Sequence, residues 1–305
     1  MSKILITGAS GLIGRTLSDF LSLNNYEIIH VSRNKKTNKY QSFEWNLKDG
    51  YLESGALNNV GYIIHLAGAG IADKRWSNDR KNEIIKSRIK STELLFNEVS
   101  KLEIKPKAFI SASAIGFYGA KTTENIYAEN DPAGNDFLSG VCKLWEESSK
   151  KFNDLNIRNI QMRLSVVLSA EGGALKKMIL PTKLGIGSAI GSGKQYIPWI
   201  HIFDLMKIIL KFIENDKLEG AYNLTSPTHT NYNNFAKSLA KILKKPFFMP
   251  NVPSFVLQLI FGEMSKMILE GSRISCEKII NDGYTFEYSE LEDALHNLLI
   301  QKQTS

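Results

Sequence analysis

The stretch Lys3-Ile4-Leu5-Ile6-Thr7-Gly8-Ala9-Ser10-Gly11-Leu12-Ile13-Gly14 decides the fold of this chain. Ile4 to Thr7 read as a short buried strand, and apolar residues at helical spacing resume at Leu12 and run to Leu23. Glycines spaced three and three fill the junction. A glycine triplet alone is a weak signal; between a strand and a helix it is a strong one. Gly8 permits the tight turn, Gly11 lets a phosphate approach the backbone, and Gly14 lets helix and strand pack closely. The free N–H groups at the start of the helix then face an anion. A plain strand-to-helix turn would not need all three glycines. The stretch therefore predicts a dinucleotide site touched by Gly8, Ser10, Gly11, Leu12, Ile13 and Gly14.

Outward from this loop, strand-like runs at 3–7, 27–32, 62–66, 107–111 and 159–168 alternate with helical runs at 12–23, 78–99 and 136–152. This order predicts an α/β chain, a Rossmann-type doubly wound parallel sheet. Past residue 170 the glycines 172, 173, 185, 187, 191 and 193 suggest one long shaped loop ending at Pro198-Trp199-Ile200-His201. A strand at 220–224 follows. Helical segments then begin at Asn231, Pro253 and Ser289, with a strand expected at 284–288. The expected division is 1–230, the nucleotide-binding domain with its substrate-side loop, and 231–305, a small, mostly helical C-terminal domain of unknown role.

With 305 residues, 43% hydrophobic and 23% charged, the chain is long enough for a sizeable core and too apolar for disorder. Its greasiest run, 252–260, is interrupted by Ser254 and Gln258 and is far too short to span a bilayer. Lys3 leads straight into a strand, so no signal peptide is expected. Two cysteines 134 positions apart form neither a disulfide framework nor a metal site. A cytoplasmic location, with no membrane partner, is the expectation. The net charge of +7 comes mainly from scattered lysines, 30 of the 38 basic residues, which argues against a nucleic-acid surface.

The second strand ends Val31-Ser32-Arg33-Asn34-Lys35-Lys36, with no carboxylate where an NAD enzyme holds the adenosine ribose. Arg33 can fork onto a 2′-phosphate with Ser32 donating beside it, so NADP is favoured over NAD. The alternative is a solvated basic loop. The third strand ends in Leu66-Ala67-Gly68, small residues that suit close approach of the cofactor. His65 beside them reads as a packed histidine.

These motifs resemble the extended short-chain dehydrogenase/reductase superfamily, and within it the atypical "epimerase family protein" branch, YfcH-like and sometimes labelled SulA-like or cell-division inhibitors. The resemblance is carried by the glycine loop, His65 to Gly70, Arg75-Trp76, Lys86-Ser87-Arg88, Ser111 to Gly119, Glu171-Gly172-Gly173-Ala174 and the run from Ile190 to Asp204. Leu269-Glu270-Gly271 and Gly283-Tyr284 look like that branch's C-terminal domain of unknown function. The likeness implies a Ser, Tyr and Lys catalytic set, in which the phenol moves a proton and the ammonium lowers its pKa. Ser113 stands in the serine position. The Tyr-x-x-x-Lys segment reads Leu138-Ser139-Gly140-Val141-Cys142-Lys143, and no register restores the pair. Arg88 replaces the customary Asn. The resemblance implies that Glu83 and Arg88 face the cofactor, with Arg88 taking the role of the lost Lys; a solvated charged helix face is the plain alternative. Val166 completes the implied cofactor contacts.

Tyr118 is the first substitute for the missing phenol, although the tyrosine of this Tyr-Gly pair is usually structural in the wider family. Cys142 reads as a buried thiol or, beside a cation, as an acid or nucleophile. His201 and Asp204 resemble a segment that bonds locally. Gln195 and Trp199, in the glycine-rich loop, and Arg163 are candidate substrate contacts. Two functions stay open. One is an NADP(H)-dependent oxidoreductase or sugar-nucleotide epimerase-like enzyme acting on a small molecule; the other is a non-catalytic NADP(H) sensor acting through a protein partner. The substrate and oligomeric state are not legible.

Overall fold

The computed structural model describes residues 1–34 and 39–300. Strands β1 (Lys3–Thr7), β2 (Glu27–Ser32), β3 (Gln41–Asn46), β4 (Tyr51–Leu52), β5 (Val60–His65) and β6 (Ala108–Ala114) are followed by β7 (Ile126–Tyr127), β8 (Arg158–Leu164) and β9 (Val166–Leu168). β10 (Trp199–His201), β11 (Gly220–Leu224) and β12 (Arg273–Ile274) complete the described strands. The helices are α1 (Leu12–Leu23), α2 (Asn78–Ser100), α3 (Phe137–Lys150), α4 (Gly173–Lys183), α5 (Ile202–Glu214), α6 (Tyr232–Ile242), α7 (Ser254–Phe261), α8 (Lys266–Leu269), α9 (Glu277–Asn281) and α10 (Leu291–Leu299).

The main sheet runs β11-β8-β6-β5-β1-β2-β3-β4, parallel throughout except for the β3–β4 hairpin. Chain order reverses beside β1, which pairs with β2 on one side and β5 on the other. Such a reversal opens a crevice at the carboxyl ends of the strands. Alternate side chains feed two cores: Ile4 and Ile6 join α1 and α5 on one face, while Leu5, Ile63 and Phe109 meet Leu95 and Val99 of α2 on the other. Burial of each such side chain contributes about 1.5–3 kcal/mol. Side-chain caps set the helix starts: Ser77 accepts from Arg80 N–H, Asp136 from Ser139 N–H and Asn231 from Asn234 N–H. The first core also takes in Phe235, Leu239, Leu291 and Leu295, so one hydrophobic cluster crosses the expected boundary near residue 230.

Several expectations need correction. The stretch after residue 170 is not all loop: α4 forms there despite Gly173 at its start and Pro181 inside it, with Leu175 and Thr182 buried. The expected strand 159–168 is two strands. Ser165 interrupts it, its N–H and Oγ both donating to Leu224 O, after which β9 pairs with β10. Residues 284–288 are not a strand. Their N–H groups at Glu287 and Tyr288 are taken by the Asp204 carboxylate instead of a ladder. β3 and β4 were not expected, although Ser42 and Trp45 are buried beside exposed Gln41, Glu44 and Asn46.

Candidate functional site

The crevice at the sheet reversal divides into an inner cavity of about 470 Å³ and an outer one of about 280 Å³, which share Gly8, Gly11 and Leu66. Gly8 has a left-handed φ of +70°, and a Cβ there would lie 2.8 Å from Leu66 C and O. A Cβ on Gly14 would lie 2.5 Å from Gly8 O, so helix and strand touch backbone to backbone. Gly11 differs: its Cβ would meet Gly8 O alone, at 3.3 Å. Gly11 also starts α1 without a side-chain cap or an acidic residue in the first turn, leaving the helix end available to an anion.

Leu12, Ile13, Gly14, Arg88, Ser113 and Val166 line the inner cavity. Ser10, Ser32, Arg33, Ala67, Gly68 and Glu83 line the outer one. Arg33 is exposed at the end of β2, where Ser32 Oγ donates to Asn34 O. Lys35 and Lys36 lie outside the described residues. Glu83 accepts from Arg80 Nη1 at 2.6 Å. Arg88 is 6% exposed and sits over the Trp145 ring at 4.8 Å, its Nη1 donating to Ala69 O and Ile84 O. Burial pulls its pKa down to about 10. Its Nε and the Trp145 Nε1 are buried with no hydrogen-bond partner among the described residues. A Cβ on Gly68 would press on Arg88 Cζ at 3.0 Å, so the small residue leaves room for the guanidinium. Sequence reasoning missed Trp45 and Leu47 in the outer cavity, and Trp145, Ser165, Gly173 and Ala174 in the inner one. The alternation around Trp45 was a usable signal.

A buried polar network lies behind the inner cavity. Ser113 Oγ donates to Glu146 Oε1 at 2.7 Å, and Arg163 grips the same carboxylate with Nε at 2.8 Å and Nη2 at 2.9 Å. Arg163 Nη1 donates to Tyr118 Oη and Glu129 O, and Tyr118 Oη donates to Asn223 Oδ1 at 2.7 Å. Tyr118 is 3% exposed and lines neither cavity; burial pushes its pKa up to about 12. Burial, with Glu146 nearby, likewise pushes the Cys142 thiol up to about 12. Leu138 and Cys142, at the positions of the absent Tyr and Lys, are both buried.

The proposed substrate contacts are enclosed as well. Trp199 lies in the first core, and Gln195 Nε2 ties Ile190 O to Ile268 O. Arg163 is held as described; neither it, Gln195 nor Trp199 lines either cavity. Asp204 accepts from Tyr284 Oη and two backbone N–H groups, and His201 Nδ1 accepts from Phe203 N–H. His65 is buried between Thr7 Oγ1 and Ser91 Oγ. No group of metal-ligating side chains occurs among the described residues.

The sequence pattern of the NAD dependent epimerase/dehydratase family matches residues 4–225, and that of a domain of unknown function, DUF1731, matches residues 252–298. Epimerase family protein YfhF of Bacillus subtilis (strain 168) is 34% identical over 305 residues, covering 99% of each chain. The crystal structure of human epimerase family protein SDR39U1 with NADPH superposes with a TM-score of 0.89 at 30% identity, covering 97% of this chain and 98% of that one. A nucleoside-diphosphate sugar epimerase from Corynebacterium glutamicum gives a TM-score of 0.79 at 27% identity, over 99% of this chain and 60% of its own. This chain belongs to the NAD dependent epimerase/dehydratase family.

Proposed function

We propose that the crevice binds NADP(H) and that the protein is an oxidoreductase or epimerase-like enzyme acting on a small molecule. The observation that carries this reading is a backbone cradle with a cation at each end. Gly8, Gly11 and Gly68 clear the strand ends, Arg33 stands at the outer limit and Arg88 at the inner. Arg33 and Ser32 would hold a 2′-phosphate, and the first turn of α1 the pyrophosphate. Arg88, whose buried Nε has no hydrogen-bond partner among the described residues, would face the ribose or a phosphate. The human relative whose structure includes NADPH supports the choice of nucleotide. When bound, the nucleotide supplies hydride chemistry.

Among the described residues lining the inner cavity, Arg88 alone carries a titratable side chain. Ser113 spends its proton on Glu146 and neighbours the Cys142 thiol, so toward a substrate hydroxyl it would act as an acceptor. A proton consumed or released in turnover therefore passes through water or the substrate itself. The same observation favours a second reading, an NADP(H) sensor that signals through residues 231–305, the proposed second domain, to a protein partner. Calorimetric titration with NADPH and NADH tests the cradle. Arg33→Ala is expected to weaken NADPH roughly 10- to 100-fold and to leave NADH unchanged, from loss of a charge-assisted bond of about 1.5–3 kcal/mol. Failure of both nucleotides to bind overturns the proposal. NADPH consumption across a panel of carbonyl compounds and sugar nucleotides then separates enzyme from sensor.

A further inference from the structure

Two parts of the sequence, 172–200 and 231–262, contain eight lysines and no Asp or Glu. The fold joins them. Val252 N–H donates to Ala189 O, Gly191 N–H donates to Val252 O, and Asn251 Nδ2 donates to Gly191 O. A Cβ on Gly185 would touch Pro246. Around this seam stand exposed Leu180, Leu184, Ile186 and Phe248, the last 75% exposed. Directly beyond it α7 reads Ser-Phe-Val-Leu-Gln-Leu-Ile-Phe with only Leu257 buried. Phe255 and Leu259, one turn apart on α7, are 68% and 76% exposed. Monomer surfaces seldom leave so many large apolar side chains together without a use.

We infer that this face seats on the surface of an anionic lipid bilayer. Exposed Lys176, Lys177 and Lys183 lie within a turn of Leu180 on α4, and exposed Lys244 and Lys245 just before Phe248, a mixture that lets aliphatic and aromatic groups enter the headgroup layer while ammonium groups meet lipid phosphates. Two carboxylates are held in ion pairs, Glu263 with Lys81 and Glu292 with Lys241, which offsets one of the eight lysines and leaves the exposed ones named above. A symmetric second copy is a poorer occupant, because a twofold contact would press this lysine rim against its own equivalent. The expectation of no membrane partner rested on the missing spanning segment, and no described helix is long and apolar enough to cross. An interfacial face needs no such helix. α4 connects it to the crevice, since Gly173 and Ala174 line the inner cavity and Leu180 lies in the exposed patch.

Sedimentation with vesicles tests the inference on the full chain. Phosphatidylglycerol-containing vesicles are expected to carry the protein down, and phosphatidylcholine vesicles are not. Lys244→Glu with Lys245→Glu should lower partitioning at least roughly thirtyfold, the equivalent of about 1 kcal/mol for each lysine. Phe255→Ser with Leu259→Ser should lower it roughly tenfold. All four side chains are exposed, so circular dichroism and NADPH titration should match the parent protein. Absence of pelleting, or pelleting that survives both pairs of substitutions, overturns the inference. So does a lipid-free dimer that Phe255→Ser with Leu259→Ser dissolves, which would assign the face to a second copy.

Discussion

Two parts of the crevice meet the same demand by different means. The glycine loop, where the two cavities meet, presents backbone: positive φ at Gly8, missing side chains and the free end of α1. The inner end works through side chains, and there the chain departs from its superfamily. A hydrophobic Leu138 and a buried Cys142 occupy the positions of the proton-moving pair, while Ser113 is fastened to an Arg163–Glu146 ion pair with both partners less than 5% exposed. Nucleotide recognition depends on geometry that few residues can supply, so it stays recognisable. Proton transfer depends on titratable groups facing the cavity, and behind the inner cavity Ser113 is hydrogen-bonded to a buried carboxylate.

Breaking the backbone half should have the largest effect. Gly14→Ala places a Cβ 2.5 Å from Gly8 O and 2.6 Å from Ala9 Cα, where no flexible side chain can yield. Loss of nucleotide binding by more than roughly 100-fold is expected in calorimetry, along with overpacking of about 1–3 kcal/mol in chemical unfolding. Normal affinity would show that the cradle is not the binding surface. In the side-chain half, Glu146→Gln leaves the Arg163 cation buried with its charge partner gone. A loss of about 3–5 kcal/mol is expected, read as a shift in the unfolding midpoint. A change below about 1 kcal/mol would mean that the ion pair does not hold the network together.

This contrast also explains what the sequence disclosed. β1, α1, β2 and β11 were readable because alternation, a glycine turn and an apolar stripe are local signals. α4 was not, because Gly173 and Pro181 are poor helix formers, and only tertiary packing of Leu175 and Thr182 favours the helix. The 284–288 segment had strand composition, but its N–H groups face Asp204, a partner some 80 positions away. Each residue named for the nucleotide lies on the crevice wall, because the glycine motif fixes the backbone course from β1 into α1 and the other positions follow strand ends and one face of α2. Gln195, Trp199, Arg163 and Tyr118 have the chemistry of contacts but lie buried in the fold. Residue type alone could not reveal that they point inward.

A smaller effect should appear with acid. Burial, reinforced by the Arg88 charge, pushes His65 down to about 3. Between about pH 6.5 and that value the unfolded chain binds a proton that the folded one refuses, so stability falls as pH falls, by about 2 kcal/mol at pH 5. His65→Gln should flatten this slope between pH 7 and pH 5 in chemical unfolding. An unchanged slope would place the acid sensitivity elsewhere, with His30, also lowered by burial, the next group to replace.

The smallest effect belongs to Tyr118→Phe, and it separates the two halves most directly. The phenol bridges Arg163 and Asn223 at the back of the network, away from both cavities. Its removal should cost about 1–2 kcal/mol of stability, because Arg163 Nη1 keeps Glu129 O while Asn223 Oδ1 loses a donor. NADPH affinity should stay within about twofold, a shift of less than 0.5 kcal/mol. If a substrate is found, the rate and its pH profile should also be unchanged. A lost alkaline limb in that profile, with affinity and stability intact, would mean that the phenol reaches the reacting atoms in a conformation different from this one. The division between a recognising half and a structural half would then fail at Tyr118.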